Sequence, residues 1–184
     1  MKKALVALVS IIVVVALWLG YLSYDADQRD VEASKVPLVT VMEILHASDL
    51  QKGVKAAVKV DDADAIDNWL NQALQVGNAA NLAKEDLDYL ASDAARDYVV
   101  FNAKRQLYND AFEARYYSLK EVESLKSQYP EAKDLFPRTD ALIEKRDAII
   151  KQIAIALSNE DSPSEDALEQ ARQQWLMRAQ KPEA

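Results

Sequence analysis

The chain holds one histidine, His46, and no cysteine. A histidine can serve as a general base or a metal ligand. A zinc-type site, however, needs further nitrogen or sulfur donors, and none exist here. His46 therefore reads as an ordinary helix residue. The acidic run Asp61-Asp62-Ala63-Asp64 raises the question of calcium. It lacks the glycine at position six and the glutamate at position twelve that an EF-hand loop requires, and helix N-cap chemistry explains it without a metal. Glu85-Asp86 and Glu160-Asp161 sit at apparent helix starts or loops and read as solvated caps. Ser10, Ser92 and Ser118 stand in no nucleophile-elbow pattern, because glycine is missing around them. Three glycines in the whole chain do not build a phosphate-binding loop. No catalytic residue, metal ligand or cofactor site is assigned, and the chain is not expected to be an enzyme.

One stretch is richer. Tyr98, Phe101, Arg105, Tyr108, Phe112, Arg115, Tyr116 and Tyr117 alternate aromatics with arginines on one helical segment. These residue types dominate protein–protein hot spots. They serve equally as a bundle core in which the tyrosine hydroxyls reach the edge and the arginine stem lies along apolar surface. Core is the preferred reading for Phe112. Arg105 lies on the stripe itself, so Arg105, Tyr108 and Tyr116 stand as candidate partner-binding residues.

The elements that carry these residues follow from composition and period. Glycine and proline number only 3 and 5 among 184 residues, too few for the turns of a strand-rich domain. Ala, Leu, Gln, Lys, Glu and Asp dominate and favour helices. Half the residues are apolar, enough for one domain with one ordinary core. Val36–Val60 is the least determined stretch. Pro37 suits a helix first turn with Thr40 and Glu43 behind it, Gly53 would end or interrupt that helix, and the β-branched run Val36–Val41 offers a strand as the alternative. Asp62–Val76 carries a helical stripe, Ile66, Trp69, Leu70, Ala73 and Leu74, with Gly77-Asn78 as its stop. A longer stripe through Leu87, Leu90, Ala94, Tyr98, Phe101, Arg105, Tyr108, Phe112, Tyr116, Leu119 and Val122 spans Leu82–Tyr129. As one helix this would be roughly 70 Å long, so it either projects as a coiled-coil arm or breaks, with Ser92-Asp93 the expected break. Pro130 and Pro137 bracket a loop. Thr139 or Asp140 caps a helix to about Asn159 with the stripe Leu142, Ile143, Ile149, Ile150, Ile153 and Leu157, turned back antiparallel against the long helix. Ser162-Pro163-Ser164-Glu165 reads as a capping box for the last helix, which carries Leu168, Ala171, Trp175, Leu176 and Ala179.

Ahead of all this, Ala4–Tyr24 is a run of 21 uncharged residues. As a helix it reaches roughly 32 Å, close to a hydrocarbon core of about 30 Å. Lys2 and Lys3 precede it, and Asp25, Asp27, Asp30 and Glu32 follow against a single Arg29. The positive-inside rule then places the N-terminus in the cytoplasm. Trp18, Tyr21 and Tyr24 cluster at the exit end, where amphipathic rings prefer the interface. A cleaved signal peptide is the competing reading. The run is longer than such peptides need, and Tyr24-Asp25-Ala26 puts tyrosine where a small residue belongs.

The expected protein is therefore all-α. A single transmembrane anchor (1–24, N-terminus inside), with Lys2, Lys3, Trp18, Tyr21 and Tyr24 at the membrane interfaces, leads through a polar tether (25–35). An acidic antiparallel bundle of four or five helices, one of them long (36–180), and a tail (181–184) follow. In a bacterium the bundle would lie in the periplasm or outside the cell. Of the 22 basic and 30 acidic residues, 20 and 30 follow the anchor, a net of −10. That charge disfavours nucleic acid and anionic lipid as partners of the bundle. The expected function is a membrane-anchored, non-enzymatic interaction module with a protein partner. A ligand-sensing bundle acting through a partner is the alternative.

Overall fold

The computed structural model describes residues 39–179, and every regular element among them is helical. In chain order these are α1 (Val41–Leu45), α2 (Ser48–Lys59), α3 (Ala63–Ala79), α4 (Lys84–Leu90), α5 (Asp93–Tyr117), α6 (Glu123–Gln128), a 3-10 turn (Pro130–Leu135), α7 (Phe136–Ser158) and α8 (Glu165–Ala179). The strand alternative for Val36–Val41 finds no support from Val39 onward. The expected anchor, with Lys2, Lys3, Trp18, Tyr21 and Tyr24, lies outside the described residues, as do the tether and the tail. Among the described residues no helix is long and apolar enough to cross a membrane.

Helix starts follow local chemistry. Thr40 caps α1 in a full capping box with Glu43, Asp62 caps α3 through Ala65 N, and Ser92 caps α5 through Ala95 N. The break expected at Ser92-Asp93 is therefore present. Two starts differ from expectation. Helix α7 begins at Phe136 with Pro137 in its first turn, because the 3-10 turn feeds straight into it. Thr139 is consequently no cap; its hydroxyl donates back to the preceding turn. At α8 the capping side chain is Ser164, which accepts from Ala167 N, rather than Ser162.

The helices stop without glycine. Asp61, Asn81 and Leu119 adopt left-handed φ values of 58°, 56° and 56°. Each is followed by a residue whose N–H reaches back five positions: Asp62 to Ala57 O, Leu82 to Gly77 O and Lys120 to Arg115 O, at 3.0–3.1 Å. This pairing consumes the last free carbonyls of each helix. Gly77-Asn78 is thus not a stop, and α3 runs on to Ala79. Gly77 is needed for packing instead. A Cβ there would lie 2.9 Å from Leu90 and 3.1 Å from Leu82 and Leu87. Gly53 likewise sits inside α2, where a Cβ would collide with the Trp69 indole.

Ion pairs and side-chain contacts give the helix directions. His46–Tyr98, Gln51–Gln106 and Lys55–Asp110 rise together, so α2 runs parallel to α5. Lys104–Glu131, Arg105–Asp134 and Tyr108–Thr139 also rise together, as does Arg146 donating to Tyr116 O. Helix α7 therefore runs parallel to α5, and the expected antiparallel return is corrected. The return is made by α6, which Arg115 holds through Ser124 Oγ at 2.6 Å. The sharp turn that permits it is the Leu119 cap.

Three apolar clusters take the place of one core. The first joins α1–α4 to the first half of α5 through Leu45, Val54, Ile66, Leu70, Leu90 and Val99. The second gathers Tyr108, Phe112, Leu125 and Ala132. The third is the α7–α8 hairpin, with Ile150, Ala154, Ala167 and Ala171, capped by Leu119. On α5 the first cluster uses Val99 and Ala103, and the second uses Tyr108 and Phe112. Ala103 and Tyr108 are five residues apart, which sets them roughly 140° apart around the helix. The helix is a spine with a core on each side. The single stripe expected along it is displaced in its first half, where Ala94 and Phe101 are exposed.

Candidate functional site

The sequence-derived candidates go to three different places. His46 ends α1, and its ring nitrogen lies 2.6 Å from the Tyr98 hydroxyl, with the rings stacked. The cavity they line has room for about 10 Å³, the scale of a single water. Asp61 ends α2 through its left-handed backbone, and Asp62 starts α3 through its carboxylate. Among the described residues no group of three or more His, Asp or Glu is placed to hold a metal ion.

Arg105 clasps the 3-10 turn. It makes a two-pronged ion pair with Asp134, donates to Glu131 O at 3.3 Å, and lies 5.3 Å over the Phe101 ring. The Arg105 hydrogen bond holds the Asp134 carboxyl below its usual range. Burial alone would push Glu131 up, but hydrogen bonds and the charge of Lys104 outweigh it and hold this carboxyl low as well. Tyr108 is 1% exposed and shares a 2.7 Å hydrogen bond with Thr139. Its surface is taken up by the second core. Tyr116 is half-buried, and burial pushes its phenol above the usual value.

Arg146, which sequence reasoning passed over, is 8% exposed. It lies 5.5 Å over the Tyr116 ring, donates to Tyr116 O and pairs with Asp147. An always-charged guanidinium with a ring, a carbonyl and a carboxylate around it is a satisfied buried cation. It locks α7 to the end of α5. Its only sequence signal is its position between Ile143 and Ile150 on the inward face.

Of the open surfaces, the polar cleft of about 570 Å³ at Arg115, Ser118, Lys120 and Glu121 carries no aromatic side chain, whereas the surface around Tyr117, which is 45% exposed, is rich in them. On one side a cleft of about 490 Å³ is lined by Phe112, Tyr116, Tyr117, Arg138 and Leu142, among others. On the other, a second of about 190 Å³ is lined by Tyr117, Ile149, Ile153, Trp175 and Arg178. Trp175 meets Tyr116 edge-on at 5.7 Å, and its buried indole N–H finds no acceptor among the described residues. The two clefts share Tyr117 and follow the outer face of α7. At about 100° per residue, Arg138, Leu142, Lys145, Ile149 and Ile153 all fall within roughly 40° of one line. That spacing is legible in the sequence, but periodicity alone makes the whole stripe inward, whereas Leu142 and Leu157 are exposed.

No family model, curated protein or solved structure matches this chain.

The groove carries no acid–base pair and no nucleophile with a base beside it. What it offers is aromatic and branched apolar surface with cationic side chains at its margins.

Proposed function

We propose that this protein is a membrane-anchored, non-enzymatic interaction module, a scaffold, adaptor or assembly component whose helical part projects from an N-in anchor. The observation that carries this reading is the Tyr117 groove. Tyrosine, tryptophan and arginine together are the residues that anchor protein interfaces. An open run of them alongside packed cores marks a contact surface more than a small-molecule site. The sensing alternative receives less support, because the cavity beside His46 holds only about 10 Å³ and the larger clefts at Tyr117 lie open at the surface rather than enclosed between helices. The anchor reading rests on Ala4–Tyr24 and its flanking charges.

The test is affinity purification of the full-length protein from mild detergent, beside Tyr117→Ser. A stoichiometric protein partner with the native chain, lost in Tyr117→Ser at unchanged melting temperature, is the expected result. Equal recovery in both, or no partner in either, would contradict the proposal.

A further inference from the structure

The groove has a sign. Arg138 and Arg178 line it, and Lys145 stands on the same face of α7. None of the three is in an ion pair among the described residues, which is equally true of Lys52, Lys59, Lys120, Lys133 and Lys151; what sets the three apart is that they stand along one groove. Glu113 is the one carboxylate among the residues lining the two clefts. Two arginines against one glutamate make the lining net positive on a domain whose total is strongly negative.

Shape and charge together select an occupant. Leu142, Ile149 and Ile153 along α7, with Tyr117 from the end of α5 beside them, form a narrow apolar floor, the shape that accepts the apolar stripe of another helix. A second copy presenting the same face would set Arg138, Lys145 and Arg178 against themselves, since a two-fold contact pairs a surface with itself. A bilayer is flat, whereas the floor here is recessed between α5, α7 and α8. We infer that the Tyr117 groove binds an acidic amphipathic helix of a different protein. Its leucine- or phenylalanine-type side chains enter beside Tyr117 and Trp175, and its carboxylates meet Arg138, Lys145 and Arg178. This rests on the interaction-module reading and specifies the partner's chemistry.

The experiment titrates full-length protein in uncharged detergent against labelled synthetic helices, read by fluorescence anisotropy. One peptide carries leucines at i, i+3, i+4 and i+7 with glutamates on both flanks. Its twin carries lysines at the same flanking positions. The acidic peptide should bind at least about tenfold more tightly at low salt, with the gap closing as salt screens it. The double variant Lys145→Glu/Arg178→Glu changes two exposed side chains. It should melt like the native chain and reverse the preference. Equal binding of the twins, or a preference unmoved by the double variant, would overturn the inference. Binding of phosphatidylglycerol vesicles through these residues with no binding of either peptide would also overturn it, and would assign the rim to lipid. If the double variant still captures a partner that Tyr117→Ser loses, the interaction module stands and the acidic-helix occupant falls.

Discussion

Gly53 shows what one missing side chain does in this chain. The Trp69 indole lies where its Cβ would be, so α2 and α3 approach closely only because residue 53 has none. Gly53→Ala should cost about 1–3 kcal/mol by overpacking, despite alanine's better helix propensity. A melting curve that rose instead would show that Trp69 swings away freely. Phe112 belongs to the second core, beside Tyr108 and Tyr116. Phe112→Ala should lower folding stability by about 3–5 kcal/mol in denaturant titration, and a change below about 1 kcal/mol would remove it from the core. At this scale the sequence was partly legible. Residue types announced an aromatic centre and identified Phe112 as core. They did not separate buried Tyr108 from exposed Tyr117, because that depends on which side of α5 receives α6 and α7.

Helix identities were readable, but their ends and directions less so. Period identifies α3, α7 and α8, caps add to this at α3 and α8 but misplace the start of α7, and Ser92 divides α4 from α5. The stop at Leu119 was hidden, since a leucine in a left-handed cap costs about 1–2 kcal/mol locally and is held by packing against the third core together with the Lys120 N–H bond to Arg115 O. That stop turns the chain back through α6 and makes α7 parallel to α5. The return is fastened by Lys104–Glu131 and Arg105–Asp134. Both carboxyls titrate below their ordinary values of 4.5 and 3.8 in the folded chain. A depressed carboxyl stabilises the fold above its unfolded value and loses that contribution as pH falls through its folded value. Acidification from about pH 5 to about pH 3 should therefore loosen the 3-10 turn first. Hydrogen exchange of residues 130–135 should rise steeply over that range. The rise should be smaller in Lys104→Met/Arg105→Met, which has already lost both pairs. An identical pH dependence in the two proteins would show that the clasp is not the sensitive element.

Across the whole molecule, three small cores share one spine. The distal hairpin packs α7 closely on α8 through Ile150, Ala154, Ala167 and Ala171, and touches the rest of the molecule far less. Ile150→Asp would bury a charge among apolar side chains, with the nearest cation on its face, Arg146, already engaged by Asp147 and Tyr116. It should disorder α7 and α8 and remove part of the helical circular dichroism, while the first core still melts cooperatively. Full retention of helicity would mean that the hairpin is not held through Ile150. Composition correctly indicated an all-helical bundle, yet not its division, because one helix can serve two cores only when its buried faces differ along its length. The central claim is that the Tyr117 groove is where this protein meets its partner. A photo-crosslinking residue at position 117 of the full-length protein, irradiated in native membranes, tests it most directly. Position 76 is the control, since Val76 is 51% exposed on the first core. A single discrete protein adduct at 117 and none at 76 is the predicted result. No adduct at 117, or the same adducts at both positions, would contradict the account.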